Sequence, residues 1–301
     1  MGFRTLEIGQ AAEIHINHAQ LEVTTQEGIS FIPLEDLEQI MAHGANIRLS
    51  TMDLSILTKN KVGLLTLDEK YLPTALVLPF EGHSRQAQLM HAQVDLAAEN
   101  QHTLWCQIIR QKISNQARAL SILGKSGAEE LAQYIPFPDD PHVDAKEALA
   151  AKTYFDAYHK GLNRRTNDPI NSRLNYGYAV IRSAIARKLV ATGFHPTFGL
   201  HHNSQLNAFN LADDLIEPYR PFADLAAHEN IGSSVHLSKA ERYALAHTLH
   251  NACIMDGVKM NVLSAIGLMV ESLKRIVLDG SSEELKLPVI IPIESMEGIT
   301  E

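Results

Sequence analysis

A chain of 301 residues, 45% of them apolar, has room for one large domain or two ordinary ones and can bury a real core. Its net charge of −9 excludes a protein coated in basic residues, although a local arginine and lysine groove on an acidic protein still binds phosphate. No stretch is long and apolar enough to span a bilayer, and the N-terminus MGFRTLEIGQ lacks an apolar signal core, so no membrane is expected and the expected compartment is the cytoplasm.

Cys106 and Cys253 sit in apolar helical contexts and read as buried thiols, with neither a disulfide framework nor zinc spacing. Segments 5–8, 13–16, 20–24 and 29–33 are short, bounded by turn residues and partly alternating, which predicts strands. Residues 34–43 predict one short helix, and 47–50, 62–66 and 75–78 continue the strand pattern. Residues 1–80 thus read as a β-rich domain with one or two short helices. Glu81, Gly82, His83 and Ser84 read as a linker. From Arg85 to Glu301 apolar residues recur at helical spacing. Helices are expected over 89–98, 104–123 and 145–162, and from the Asp168-Pro169 start to Gly193. Ser238 and Glu241 form a capping box for a helix through Met255, and a final helix covers 261–278 before Asp279-Gly280. The tail 294–301 is expected to be mobile.

The segment 199–221, GLHHNSQLNAFNLADDLIEPYRP, carries the densest chemistry. His201 and His202 lie in a polar loop, and a helix-like run then bears Asp213, Asp214, Glu217 and Arg220. Asp214 and Glu217 are three apart, so a helix puts them on one face. Imidazole with carboxylate is a common donor mixture for a divalent metal, and few protein ligands leave positions open for phosphate and water. An acidic run is ordinarily a solvated face. Here Phe209, Leu211, Leu215 and Ile216 make the helix a packed one, where carboxylates need a partner or a metal. Pro218 and Pro221 break or kink it.

Glu147 opens a helix in DAKEALAAKTYF; with Asp144 it has capping-box spacing, and local spacing alone favours a helix-closing role. Arg164, Arg165, Arg173, Arg182, Arg187, Lys188 and Arg220 crowd the centre of the chain. Such a run is usually a solvated face; the sharper reading is a wall that binds phosphates, with Arg220 alternatively paired to Asp213 or Glu217. There is no Walker loop, dinucleotide glycine fingerprint, HExxH or GxSxG.

Taken together, these segments resemble the CRISPR-associated integrase family Cas1, and the resemblance covers nearly the whole chain. RTLEIGQAAEIHINHAQLEV and the following stretch to Pro79 resemble the family's N-terminal β domain, and LWCQIIRQKISNQARAL its first long helices. EALAAKTYF resembles the segment bearing its first metal-binding glutamate, DPINSRLNYGYAVI its Asp-Pro-x-Asn motif, and LHHNSQLNAFNLADDLIEPYRP the segment with its histidine and second acidic ligand. The wording NAFNLADDLIEPYRP is most similar to the type II branch that accompanies Cas9. Ala148 departs from the glycine common in relatives, at little cost in a helix.

The resemblance implies an α+β fold, with an N-terminal β-sandwich-like domain followed by a larger all-α catalytic domain. It implies that Glu147, His202 and Glu217 hold Mg²⁺ or Mn²⁺, overriding the capping role for Glu147. The nitrogen donor makes Mn²⁺ a better guest than in an all-oxygen site. Asp214 then orients His202 or takes a water-mediated metal contact, while His201, Arg164, Arg165 and Arg220 hold DNA. The implied activity is a metal-dependent DNA endonuclease and integrase that inserts foreign fragments into a CRISPR array by 3′-hydroxyl transesterification. The implied partners are double-stranded DNA, a second copy joined through residues 1–80, a Cas2 protein and, as a further candidate, Cas9. Two rival readings are a metal-dependent nuclease of branched DNA and a non-catalytic DNA-binding scaffold.

Overall fold

The computed structural model describes residues 4–43, 45–68, 73–80, 86–164, 166, 168–229, 232, 234–280 and 283–293. Arg165, the expected linker 81–84 and the tail 294–301 lie outside the described residues. The chain divides into two units, Met1–Gln86 with Val190–Gly193, and Ala87–Leu189 with Phe194–Glu301.

In the smaller unit, β1 (Arg4–Ile8) is followed by β2 (Ala12–Asn17). In β2, Ala12, Ile14 and Ile16 are buried while Glu13, His15 and Asn17 are exposed, the period of a half-buried strand. β3 (Gln20–Thr25), β4 (Gly28–Pro33), β5 (Leu37–Ala42), β6 (Ile47–Arg48), α1 (Thr51–Lys59), β7 (Gly63–Leu67) and β8 (Pro73–Val77) follow. They form two four-stranded sheets, ordered β1-β5-β7-β8 and β4-β3-β2-β6. Ile8, Ile40 and Leu64 of the first and Ile14 and Leu21 of the second belong to one buried apolar cluster with Leu57 of α1.

The helix expected over 34–43 is replaced by a 3₁₀ turn at Leu34–Asp36 and by β5. β5 pairs in parallel with β1 and β7, and Gln39, Ile40, Met41 and Ala42 are all buried. A strand covered on both faces loses its alternation, and its apolar spacing then mimics a helix. α1 lies where no helix was placed. Its start is fixed by a Ser50–Asp53 capping box, and Asp53 also accepts Ile16 N–H at 2.9 Å, tying the helix to β2.

The larger unit is mainly helical. α2 (Gln86–Val94), α3 (Ala98–Ile122), α4 (Ala128–Ala132), α5 (Val143–Tyr158), α6 (Pro169–Thr192), α7 (Asn210–Leu215), α8 (Arg220–Glu229) and α9 (Lys239–Ala246) come first. β9 (Ala252–Met255), β10 (Val258–Asn261), α10 (Val262–Asp279) and β11 (Val289–Ile290) complete it. α3 is the hub and packs against α4, α5, α7, α8, β11 and the 3₁₀ turn Glu217–Tyr219.

The sequence expectation of an all-α second domain fails at β9, β10 and β11, which form a three-stranded sheet in the order β10-β9-β11. Ser238 and Glu241 do form their capping box, but α9 ends at Ala246 and a 3₁₀ turn at His247–His250 leads into β9. Asp256 and Gly257 have φ of 52° and 74°, the two left-handed positions of a tight hairpin turn. Asp168 Oδ1 accepts Asn171 N–H at 2.9 Å, which starts α6 as expected. Among the described residues no helix is long and apolar enough to cross a membrane.

Candidate active site

Three elements of the larger unit converge on one ammonium group. Glu147 projects from the first turns of α5, Glu217 opens the 3₁₀ turn after α7, and Lys112 lies on α3. Lys112 Nζ donates to Glu147 Oε1 and pairs with Glu217 Oε2 at 2.6 Å. The lysine is buried, and sequence reasoning did not single it out. Glu217 Oε2 is thereby satisfied by the buried ammonium. Its Oε1 accepts Arg220 Nε at 2.8 Å.

Burial pushes the Glu217 carboxyl up, but Arg220 and Lys112 outweigh that and hold it down at about 2, so it is ionised throughout neutral pH. Burial pulls the Lys112 ammonium down, and Glu217 and Glu147 more than reverse it, so its charge is kept. The capping role for Glu147 is not taken up. His142 precedes α5, with no side-chain hydrogen bond closing the helix start.

The histidine loop is built around Asp214. This fully buried carboxylate accepts N–H from Leu200 at 2.6 Å and His201 at 3.1 Å on Oδ2, and from His202 at 3.0 Å on Oδ1. His202 Nδ1 also donates to Oδ1, at 2.6 Å. That bond is the main reason the imidazole pKa is raised above its ordinary value, against its partial burial. It also assigns the ring's proton to Nδ1, so the lone pair lies on Nε2. Asp213 is engaged elsewhere, where its Oδ2 accepts Arg182 Nη2 at 2.7 Å and Asn207 Nδ2 at 2.6 Å.

Gly199 lets this loop close on itself. A Cβ there would lie 2.2 Å from the His202 carbonyl oxygen and 2.8 Å from Asp214 Oδ2. Gly199→Ala is therefore expected to displace His202 and to cost about 1–3 kcal/mol from the forced overlap. Thermal melting checks this; a variant that melts with the parent contradicts it.

Trp105 of α3 flanks the histidines. Its ring stacks on His201, centroids 4.2 Å apart and planes within 2°, and meets His202 edge-on at 5.9 Å. Trp105 Nε1 donates to Asp144 Oδ1 at 2.9 Å, the same oxygen that lies 3.6 Å from His201 Nε2. Behind Glu217, Arg220 lies over the Tyr178 ring at 4.7 Å. Tyr178 and Tyr154 donate to the carboxylate of buried Asp224, and Tyr158 to its carbonyl. Burial pushes Asp224 up to about 6 despite the tyrosine donors and nearby Arg164 and Arg220.

The expected wall of phosphate-binding cations is mostly internal structure. Arg164 donates to Asn171 and Asn175 and lies over the rings of Phe155 and Tyr178. Arg173 is buried on Glu241, Arg182 is paired with Asp213, and Lys188 lies 3.1 Å from Glu271. Arg220 takes Glu217, one of the two partners its position suggested, through its Nε.

Of Glu147, His202 and Glu217, the fold therefore joins the two glutamates through Lys112 and holds His202 on Asp214, where the Glu217 charge still contributes to its raised pKa. Among the described residues no group of three or more His, Cys, Asp or Glu side chains is gathered at metal-binding spacing.

The family model "CRISPR associated protein Cas1" matches residues 8–241. The CRISPR-associated endonuclease Cas1 of Neisseria meningitidis serogroup C is 34% identical over 302 residues, covering 99% of each chain. Among solved structures, a casposase bound to integration product superposes with a TM-score of 0.79 at 18% identity, covering 99% of this chain and 96% of that one. A Cas6-RT-Cas1–Cas2 complex gives a TM-score of 0.75 at 18% identity, over 94% of this chain and 36% of that one.

Proposed function

The chain belongs to the Cas1 family, and from that premise we propose that it is a divalent-metal-dependent DNA integrase of spacer acquisition. In this reading the 3′-hydroxyl of a foreign fragment attacks a phosphodiester at the edge of a CRISPR repeat. One strand is exchanged for another without nucleotide fuel, so positioning and charge stabilisation carry most of the rate. The observation that supports it best is the meeting of Glu147 and Glu217, distant in sequence, on one buried cation.

The donor set suits Mg²⁺ or Mn²⁺. Glu147 and Glu217 offer carboxylate oxygens at a common point, and His202 has its Nδ1 proton fixed by Asp214. Closing the His202 imidazole onto the carboxylate pair is the movement this reading requires. The chemistry supplied by a bound divalent cation is polarisation of the scissile phosphate and neutralisation of charge on the departing oxygen. Arg220, seated on Tyr178, keeps Glu217 ionised and aimed. Asp214 orients the imidazole, and His201, stacked on the buried Trp105 ring, is the part of that loop offered to DNA.

The partners in this reading are double-stranded DNA, a second copy joined through the N-terminal sheets in a sandwich arrangement, a Cas2 protein and Cas9. The casposase caught with its integration product and the solved complex holding Cas2 support the first and third of these.

A joining assay tests the reading, using a 3′-hydroxyl duplex, a repeat-bearing plasmid, a Cas2 partner and Mn²⁺. His202→Ala is expected to lower joining by about 10²–10³-fold with DNA binding retained, the scale of losing one group that stabilises transition-state charge. Unchanged joining favours a scaffold instead, and strand cutting without joined product favours a nuclease of branched DNA.

A further inference from the structure

Lys112 sits where a metal would be useful. Its ammonium, on the buried face of α3, touches Glu147 Oε1 and Glu217 Oε2, the two oxygens that converge from α5 and the Glu217 turn. With Arg220 on the other Glu217 oxygen, two carboxylates face two cations and the cluster is neutral as it stands. A divalent ion bonded to the same two oxygens would lie within a few ångströms of Nζ, and like charges at that separation in a dry site repel strongly.

We infer that Lys112 is an internal counter-cation that occupies the carboxylate pair in the metal-free protein and is exchanged for the divalent ion when that ion binds. Lysine suits this role. Its ammonium is a point charge on a flexible four-carbon stem, free to swing once its oxygens are taken, whereas a guanidinium is a planar fork. The exchange explains how the two carboxylates are held together and aimed before any metal arrives. It also gives the displaced ammonium a destination, since a DNA phosphate entering beside the ion is the nearest new source of negative charge.

The inference rests on the metal-dependent reading above, and Mn²⁺ binding to the full-length chain separates the two. Lys112→Met removes the competing charge and keeps much of the stem. It is expected to bind Mn²⁺ at least about tenfold more tightly than the parent and to melt lower in EDTA, with a larger upward shift on adding Mn²⁺. Lys112→Arg keeps the charge and is expected to show no such gain. Equal Mn²⁺ affinity in Lys112→Met and the parent, or an equal gain in Lys112→Arg, overturns the inference alone. Absence of Mn²⁺ binding in the parent and both variants overturns the metal reading with it. The unsubstituted protein gives a second measurement. Lys112 should resist reductive methylation in EDTA and become reactive in Mn²⁺, read by mass spectrometry; equal or lower labelling with Mn²⁺ overturns the exchange.

Discussion

Glu217→Gln should cost about 3 kcal/mol of stability, the low end of the loss for breaking a buried ion pair, whereas Glu147→Gln should cost only about 1 kcal/mol, the scale of a partly exposed pair. Each should reduce joining by about 10²–10³-fold, the size of effect seen when one preorganised electrostatic group is lost. The difference in stability comes from position. The Glu217 side chain is 7% exposed and holds both Lys112 and Arg220, while that of Glu147 is 27% exposed and holds Lys112. The low end applies because Arg220 is itself 31% exposed and finds water when its partner is lost.

Titration gives an independent reading. The folded-state pKa of Glu217 lies below its ordinary value, at about 2. The unfolded chain therefore binds this proton first, and the stabilisation is complete above the ordinary carboxylate range. It is lost as pH falls toward about 2, so the parent and Glu217→Gln should converge in acid. Urea melts from pH 7 downward check this. Equal losses in the two glutamine variants at pH 7 would contradict the placement of Glu217 as the more deeply embedded carboxylate.

Sequence patterns revealed the first strands, the long helices and the acidic segment after His202, because each carries its own period or spacing. What they missed had signals of another kind. Asp256-Gly257 is a strong hairpin marker, and reading a helix through Met255 passed over it, although Cys253 and Met255 alternate in burial with Ala252 and Ile254. β5 was misread because burial on both faces erases the two-residue period. Lys112 left a trace in α3, where Ile108, Ile109, Lys112, Ile113 and Gln116 share the buried stripe. A cation on an apolar helical face must meet a buried anion, and that rule points toward Glu147 or Glu217 without naming them. The same rule explains why most of the basic run is engaged inside the fold. Much of α6 is buried, so its arginines take partners within the fold.

The histidine loop permits a sharper test than deleting the imidazole. Asp214→Asn keeps the volume at a buried position and replaces one carboxylate oxygen with an NH₂ group. Whichever way the amide turns, its NH₂ faces backbone N–H groups that formerly met an oxygen: Leu200 and His201 on one side, His202 on the other. Unsatisfied buried donors of this kind cost about 1–3 kcal/mol each. The His202 ring also loses the anion that fixes its proton on Nδ1, and with it about 10–100-fold in metal affinity.

The pH profile then separates orientation from simple unfolding. A ligand imidazole must be neutral, and in the parent the Asp214 hydrogen bond raises the His202 pKa, so Mn²⁺ binding should fail on the acid side above the ordinary histidine value. In Asp214→Asn that bond no longer favours the charged ring. The acid limb should therefore move to lower pH while the plateau drops. The same raised pKa stabilises the parent most below the ordinary histidine value, a contribution lost as pH rises through the folded-state value and absent from the variant. Mn²⁺ titrations from pH 5.5 to 8.5 on protein shown to be folded by circular dichroism measure both effects. A plateau that falls with the acid limb unmoved would mean that His202 is not the titrating ligand, and Asp214 would then be left with the loop alone.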